Sequence, residues 1–183
     1  MKRYRMVFSG SGGQGVITAA IILAEAAVIY EDKIAVQSQS YGAAARGGAT
    51  RSDIIISNTD INFPKVTQPN MLVSLNQESY NTFFQIIRPG GLLLTDSQFI
   101  KTEKKVTARQ IELPMYDTIM KKIGNPVVFN ICMLGAVVGI TNIVKITSIS
   151  NVLKKTIPEE FFTINQTALD IGMELGSKFS VSL

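Results

Sequence analysis

Apolar and polar residues along this chain switch between two periods. Residues 4–9 (YRMVFS) make a short apolar run into a glycine cluster and predict a strand. Residues 16–30 (VITAAIILAEAAVIY) are alanine-rich, without Gly or Pro, and predict a helix. Glu25 is its lone charge, so the helix should be buried on most sides. Asp32 and Lys33 make a turn, and residues 34–38 (IAVQS) read as a second strand. Strand, glycine loop, helix and strand form a βαβ unit, so the first two strands should run parallel.

Further strands are expected at 51–57 (RSDIIIS), with antiparallel pairing open to it, and at 71–75, 92–96 and 106–113. Helices are expected at 77–87, stopping before Pro89-Gly90-Gly91, and at 115–123, with Gly124 as its stop. The C-terminal third predicts three more, at 127–143, 148–156 and 159–175. This alternation implies one three-layer α/β/α, Rossmann-like domain over residues 1–183. Its central sheet should be mostly parallel or mixed, and its C-terminal third helical. Ligands of such sheets sit off the carboxyl ends of the strands, where both glycine-rich segments fall.

Composition narrows the function classes. The 183 residues are one domain's worth of chain. With 46% hydrophobic and 17% charged residues the chain is not disordered, and more than one buried face is implied. The net charge of +4 is too small to argue for nucleic acid. One cysteine excludes an internal disulfide, a cysteine-held zinc and a self-contained iron–sulfur site. The absence of histidine excludes Ser-His-Asp and Cys-His centres.

The run 126–144 approaches membrane-spanning length, but it carries Asn130, Thr141 and Asn142. It predicts a buried helix in which Gly135 and Gly139 permit tight packing and Cys132 is a small buried hydrophobe. With no targeting signal, a cytoplasmic protein without a membrane partner is expected. Asp53, Asp60 and Asp96 read as isolated turn or strand-end residues. Phe161 and Phe162 read as core or as a subunit contact. The few charges of the C-terminal third favour a docked subunit over a lone monomer.

The candidate chemistry lies in two segments. Gly10-Ser11-Gly12-Gly13-Gln14-Gly15 satisfies G-x-G-x-x-G between a strand and a helix. Glycines there permit φ > 0 and close backbone approach, and the helix start offers unpaired N–H groups. A phosphate or carboxylate would be stabilised without any charged side chain. Val16 and Ile17 stand where a Walker loop needs Lys and Ser or Thr. Val36, Gln37 and Ser38 stand where a dinucleotide site wants an acidic residue. A phosphate-bearing ligand, NAD or FAD, and mere close packing all stay open at this point. The second segment runs from Gln39-Ser40-Tyr41-Gly42 to Arg46-Gly47-Gly48. Tyr41 offers a stacking face with a hydroxyl tip. Arg46 offers a planar fork for a carboxylate or phosphate, or for loop carbonyls.

SGSGGQGVITAAIILAEAA, SYGAAARGGATRSDIIIS, FPKV, NMLVSLNQ and RPGGLLLTDSQFI follow one another in order. Over about Arg5 to Leu175 the chain resembles the gamma subunit, or gamma domain, of the 2-oxoacid:ferredoxin oxidoreductases. The Ser40-Tyr41-Gly42 form resembles the 2-oxoglutarate and related types more than the indolepyruvate type. The resemblance implies a component that is not catalytic alone, assembled with alpha, beta and delta-type subunits. Such a complex decarboxylates a 2-oxoacid, joins the acyl group to coenzyme A and passes electrons to ferredoxin. Thiamine diphosphate and iron–sulfur clusters belong to partner chains. Under this resemblance Gly12, Gly13 and Gln14 give N–H groups to coenzyme A phosphates, and Gln14 adds its side-chain amide. Arg46 pairs with a phosphate or shapes the substrate mouth, and Ser40 and Tyr41 meet the pantetheine arm or the thiamine chain. The alternatives are a stand-alone Rossmann-like oxidoreductase using NAD or a flavin, and a scaffold with an empty glycine loop.

Overall fold

The structure is a computed structural model, and it describes residues 3–40, 49–102 and 106–182. Six strands form one sheet in the order β2-β3-β1-β4-β5-β6. They are β1 (Arg3–Ser11), β2 (Ile34–Ser40), β3 (Ala49–Ser57), β4 (Met71–Ser74), β5 (Leu92–Asp96) and β6 (Arg109–Leu113). β1, β4, β5 and β6 pair in parallel, whereas β3 is antiparallel to both β1 and β2. The sheet is thus mostly parallel and mixed.

The first two strands run in the same direction, as expected, but they do not pair. β3 lies between them, in register with β1 from Arg3↔Ser57 to Ser11↔Ala49. Composition explains the swap. The Ile54-Ile55-Ile56 run suits a slot covered on both faces, and all three residues are buried. β2 alternates into Gln37, Ser38, Gln39 and Ser40 and takes the sheet edge, where polar residues are tolerated.

Period-two alternation splits the core between the two faces. Met6, Phe8, Ile54 and Ile56 face a thick helical layer. That layer holds α1 (Val16–Tyr30), α3 (Met115–Lys122), α4 (Phe129–Thr141), α5 (Ile146–Thr156) and α6 (Glu159–Ser177). Val7, Ile55, Leu72 and Leu93 face a thinner layer with α2 (Gln77–Phe83), a 3-10 turn at Phe84–Ile86 and Val66 from the loop after β3.

Asp53 does not stand isolated at a strand end. Mid-strand, it takes both prongs of Arg51 at 2.6 and 3.1 Å and accepts the Val66 N–H at 2.8 Å. Arg51 also donates to the Val66 carbonyl and lies 5.6 Å from the Phe83 ring centre. This charge-assisted clamp ties the loop down over the thin face.

In the thick layer every α4 residue but Asn130 is buried. Gly135 and Gly139 of α4 meet Gly172 and Gly176 of α6 in a backbone-to-backbone crossing. A methyl group at Gly172 would strike the Cys132 carbonyl, and one at Gly135 the Leu169 carbonyl. One at Gly139 would lie 2.7 Å from the Met173 carbonyl oxygen. Such close approach is the geometry small-xxx-small pairs allow. No helix among the described residues is long and apolar enough to cross a membrane. Burial, with the Asp96 charge adding to it, pushes the Cys132 thiol up to about 12, so it is an inert core group.

Candidate functional site

The glycine loop leaves the carboxyl end of β1 and enters α1 through Gly15, which has φ 69°. Gly13 has φ 89°, so both positions lie in the left-handed region that favours glycine. The six residues of the motif serve two different ends. Gly10 and Gly15 are small for internal reasons. A methyl group at Gly10 would come 2.6 Å from Gln14 Oε1, and one at Gly15 would strike the Asn130 amide. At Gly12 and Gly13 it would meet nothing within 4 Å.

Gln14 braces the loop. Its Oε1 accepts the Ser11 N–H at 2.7 Å, and its Nε2 donates to the Leu75 carbonyl at 3.3 Å. Its own N–H donates to the Ser11 carbonyl at 3.2 Å. Its side chain and its amide thus both hold the loop's shape, and Gln14 also lines the cleft beside the loop. The Gly12, Gly13 and Gly15 amides have no hydrogen-bond acceptor among the described residues. No side chain caps α1, and its first turn has no acidic residue. The positive end of that helix dipole is left open.

A cleft of about 390 Å³ opens beside the loop, lined by Gly13, Gln14, Gly15, Phe99, Tyr116, Pro126, Val127, Phe129 and Asn130. Three helix starts converge on it: α1 at Gly15, α3 at Tyr116, and the 3-10 turn Pro126–Val128 leading into α4. The α3 start is satisfied from within, since Asp96 Oδ2 accepts the Tyr116 N–H at 2.8 Å. Asp96 Oδ1 accepts the Gln98 N–H at 2.9 Å. Burial raises the Asp96 carboxyl, the Asp117 charge adds to the rise, and the backbone N–H donors oppose it. Phe99, Tyr116 and Phe129 make the wall, edge to face at 4.7 to 6.0 Å between ring centres. No carboxylate side chain lines the cleft. The arrangement suits a ligand with an anionic end at the loop and an apolar or flat portion against the rings.

Asn130 was invisible as a site residue in the sequence. It donates to the Gly15 carbonyl at 3.3 Å, fastening the buried helix to the loop. Its signal was present, as the polar residue near the start of an apolar run. Val127 and Asn130 also border an apolar groove of about 450 Å³ with Phe161 and Ile164. Phe161 is 51% exposed there, whereas Phe162 packs against the core.

Of the second segment, Gln39 and Ser40 fall among the described residues. Tyr41 and Arg46 lie outside them. Ser40 pairs with Arg51, and Arg51 pairs with Ser9, so Ser40 stands two strands from β1, roughly 10 Å. It lines a separate cleft of about 520 Å³ on the thin face, with Arg51, Asp53 and Lys65. Ala49 pairs with Ser11, so residues 40 and 49 both lie at the glycine-loop end of the sheet. β3 between β1 and β2 also removes the neighbouring parallel strand on which a dinucleotide site carries its ribose-binding acid.

The comparisons agree with one another. The family described as pyruvate ferredoxin/flavodoxin oxidoreductase matches residues 5–175. A 2-oxoglutarate synthase subunit KorC of Methanocaldococcus jannaschii is 39% identical, over 96% of this chain and 95% of that protein. The gamma subunit of a keto/oxoacid ferredoxin oxidoreductase from Geobacter sulfurreducens superposes with TM-score 0.89 at 36% identity, covering 99% of this chain and 100% of that one. A 2-oxoglutarate:ferredoxin oxidoreductase from Magnetococcus marinus, solved with 2-oxoglutarate, coenzyme A and succinyl-CoA bound, has TM-score 0.87 at 22% identity. It covers 97% of this chain and 32% of its own, a likeness of fold alone. The fold and the end-to-end match together place the chain: it belongs to the pyruvate ferredoxin/flavodoxin oxidoreductase family, as a chain of the gamma type.

Proposed function

We propose that this chain is the gamma subunit of a thiamine diphosphate-dependent 2-oxoacid:ferredoxin oxidoreductase, and that its glycine-loop cleft receives a phosphate-bearing part of coenzyme A. The observation that carries the reading is the pair Gly12 and Gly13. Among the described residues their amides have no acceptor and nothing lies within 4 Å of an added Cβ, and an uncapped helix start lies behind them. A phosphate there gains charge-assisted N–H bonds, and no carboxylate among the described residues lines the cleft to oppose it. The aromatic wall of Phe99, Tyr116 and Phe129 excludes water on one side and gives the ligand an apolar surface. Arg46 and Tyr41 keep the contacts the resemblance implies for them, to a phosphate and to the pantetheine arm or the thiamine chain.

The carbanion chemistry is assigned to thiamine diphosphate on partner chains. Iron–sulfur clusters are assigned there too, since this chain's one cysteine is buried. The relatives named 2-oxoglutarate synthase favour 2-oxoglutarate as the oxoacid. The test is the reconstituted complex, assayed on several 2-oxoacids with and without this chain. Gly12→Ala should raise the KM for coenzyme A with the complex still assembled. An unchanged KM in both Gly12→Ala and Arg46→Ala would leave the loop as a scaffold.

A further inference from the structure

The opposite end of the sheet carries a cluster of cations. At the amino ends of the parallel strands, opposite the glycine loop, two adjoining clefts of about 370 and 390 Å³ share Arg3 and Arg88. Arg5 and Lys65 line the first and Arg109 the second. These cations come from β1, the loop after β3, the turn before β5, and β6. Among the described residues no carboxylate side chain lines either cleft. Among the described residues the ion pairs are Arg51–Asp53 and Lys122–Glu174, so none of the five is paired. Arg3 donates to the Asp60 carbonyl at 2.7 Å, a backbone contact that leaves its charge uncompensated. Eighteen Lys and Arg oppose 14 Asp and Glu in the whole chain, so these five exceed the entire net excess of four.

Holding five like charges together costs free energy unless something neutralises them. The form of the patch says what does. Arg3, Lys65, Arg88 and Arg109 are exposed and Arg5 is half-buried, and they lie side by side across four segments. A small anion wants donors that converge in a partly enclosed site, whereas a row of exposed arginines suits a protein surface. Phe63, 62% exposed, lines the first cleft and gives such a partner an aromatic anchor.

We infer that this basic end docks a carboxylate-rich surface of a companion subunit, leaving the glycine-loop end free for the ligand. The inference rests on the subunit reading above, but it uses the opposite end of the sheet. Arginine forks meet carboxylates two bonds at a time, so the contact fixes orientation as well as adding attraction.

The experiment uses the complex reassembled from this chain and its companion subunits, with the dissociation constant followed from 50 to 500 mM salt. Wild type should weaken by about tenfold or more over that range as screening grows. The Arg3→Glu/Arg88→Glu/Arg109→Glu triple variant should weaken association about 100-fold at low salt, through like-charge contact with the partner. It should also lose the salt dependence. The matching Lys triple variant should keep most of the affinity, and Lys65→Glu alone should give a smaller loss in the same direction. Equal affinity in the triple Glu variant and wild type would overturn the inference, as would equal weakening by the Glu and Lys triples. So would competition by millimolar inorganic phosphate at constant ionic strength, which would mark a small-anion site. A complex that assembles normally with every variant sinks this inference alone, and the coenzyme A KM of Gly12→Ala still decides the first reading. A native preparation with no companion chains would sink both.

Discussion

At the α4–α6 crossing four glycines turn their missing side chains toward backbone. In the loop ahead of α1, Gly12 and Gly13 turn theirs toward open space. The residue type is the same and the two physical demands are opposite. In the crossing, glycine brings two helices into contact, and the fold itself requires it. In the loop tip no neighbour among the described residues fills that space, and Gly13 is held to glycine by its positive φ alone. Gly10 and Gly15 show that even within one motif the two uses mix, because both are confined by neighbouring side-chain atoms of Gln14 and Asn130.

The sharpest way to break this comparison is Gly172→Ala. Its methyl group would overlap the Cys132 carbonyl and sit 2.8 Å from the Ala136 nitrogen, both backbone atoms of a buried helix. A loss of about 3 kcal/mol or more in unfolding free energy is expected, read as a lower denaturation midpoint. A variant as stable as wild type would show that the helices can part, and the contrast would fail. Gly12→Ala is the counterpart. Its stability should stay within about 1 kcal/mol of wild type, while kcat/KM for coenzyme A in the complex falls about tenfold, near 1.4 kcal/mol in transition-state terms.

Asn130→Ala probes the bond between the two regions. Loss of its donation to the Gly15 carbonyl should cost about 1 kcal/mol. Hydrogen exchange should speed up in the first turn of α1 more than in α6. Equal acceleration in both would mean that Asn130 supports the core and not the loop.

The smallest effect concerns pH. Glu31 accepts the Lys145 N–H at 2.8 Å and the Ser148 hydroxyl at 2.6 Å, at the start of α5. Burial pushes its carboxyl upward, but these two bonds and the charges of Lys33 and Lys145 outweigh it and hold the carboxyl below its usual range. A carboxyl lowered on folding stabilises the fold above its unfolded pKa, and loses that contribution as pH falls through the folded value. The melting-temperature gap between wild type and Glu31→Gln should therefore be present at neutral pH and close as pH falls below the usual carboxylate range. A gap that persists in acid would point to packing.

Much of this was legible in advance. The helix at 16–30 and the strand at 92–96 stand where composition put them, because an alanine-rich apolar run and a Leu-Leu-Leu run that follows two glycines leave the backbone little choice. The helix starting at 159 was legible for the same reason, but its two glycines were not recognised as partners of Gly135 and Gly139. That pairing joins residues more than thirty positions apart, which no local window relates. The internal bonds of Gln14 were hidden for the same reason. An amide in a glycine loop looks available until Leu75, sixty-one residues on, supplies its acceptor.

By itself the sequence determined the elements, the layered α/β class, the absence of histidine and of a cysteine set, and the glycine loop between the first strand and helix. These follow from side-chain chemistry and short-range periodicity, both local. Only the tertiary structure decided that β3 separates the first two strands, that three helix starts meet at one cleft, and that five cations crowd the opposite end. Those outcomes depend on which distant segments share the sheet, and strand order is settled by the burial of whole faces, which no stretch of neighbouring residues encodes.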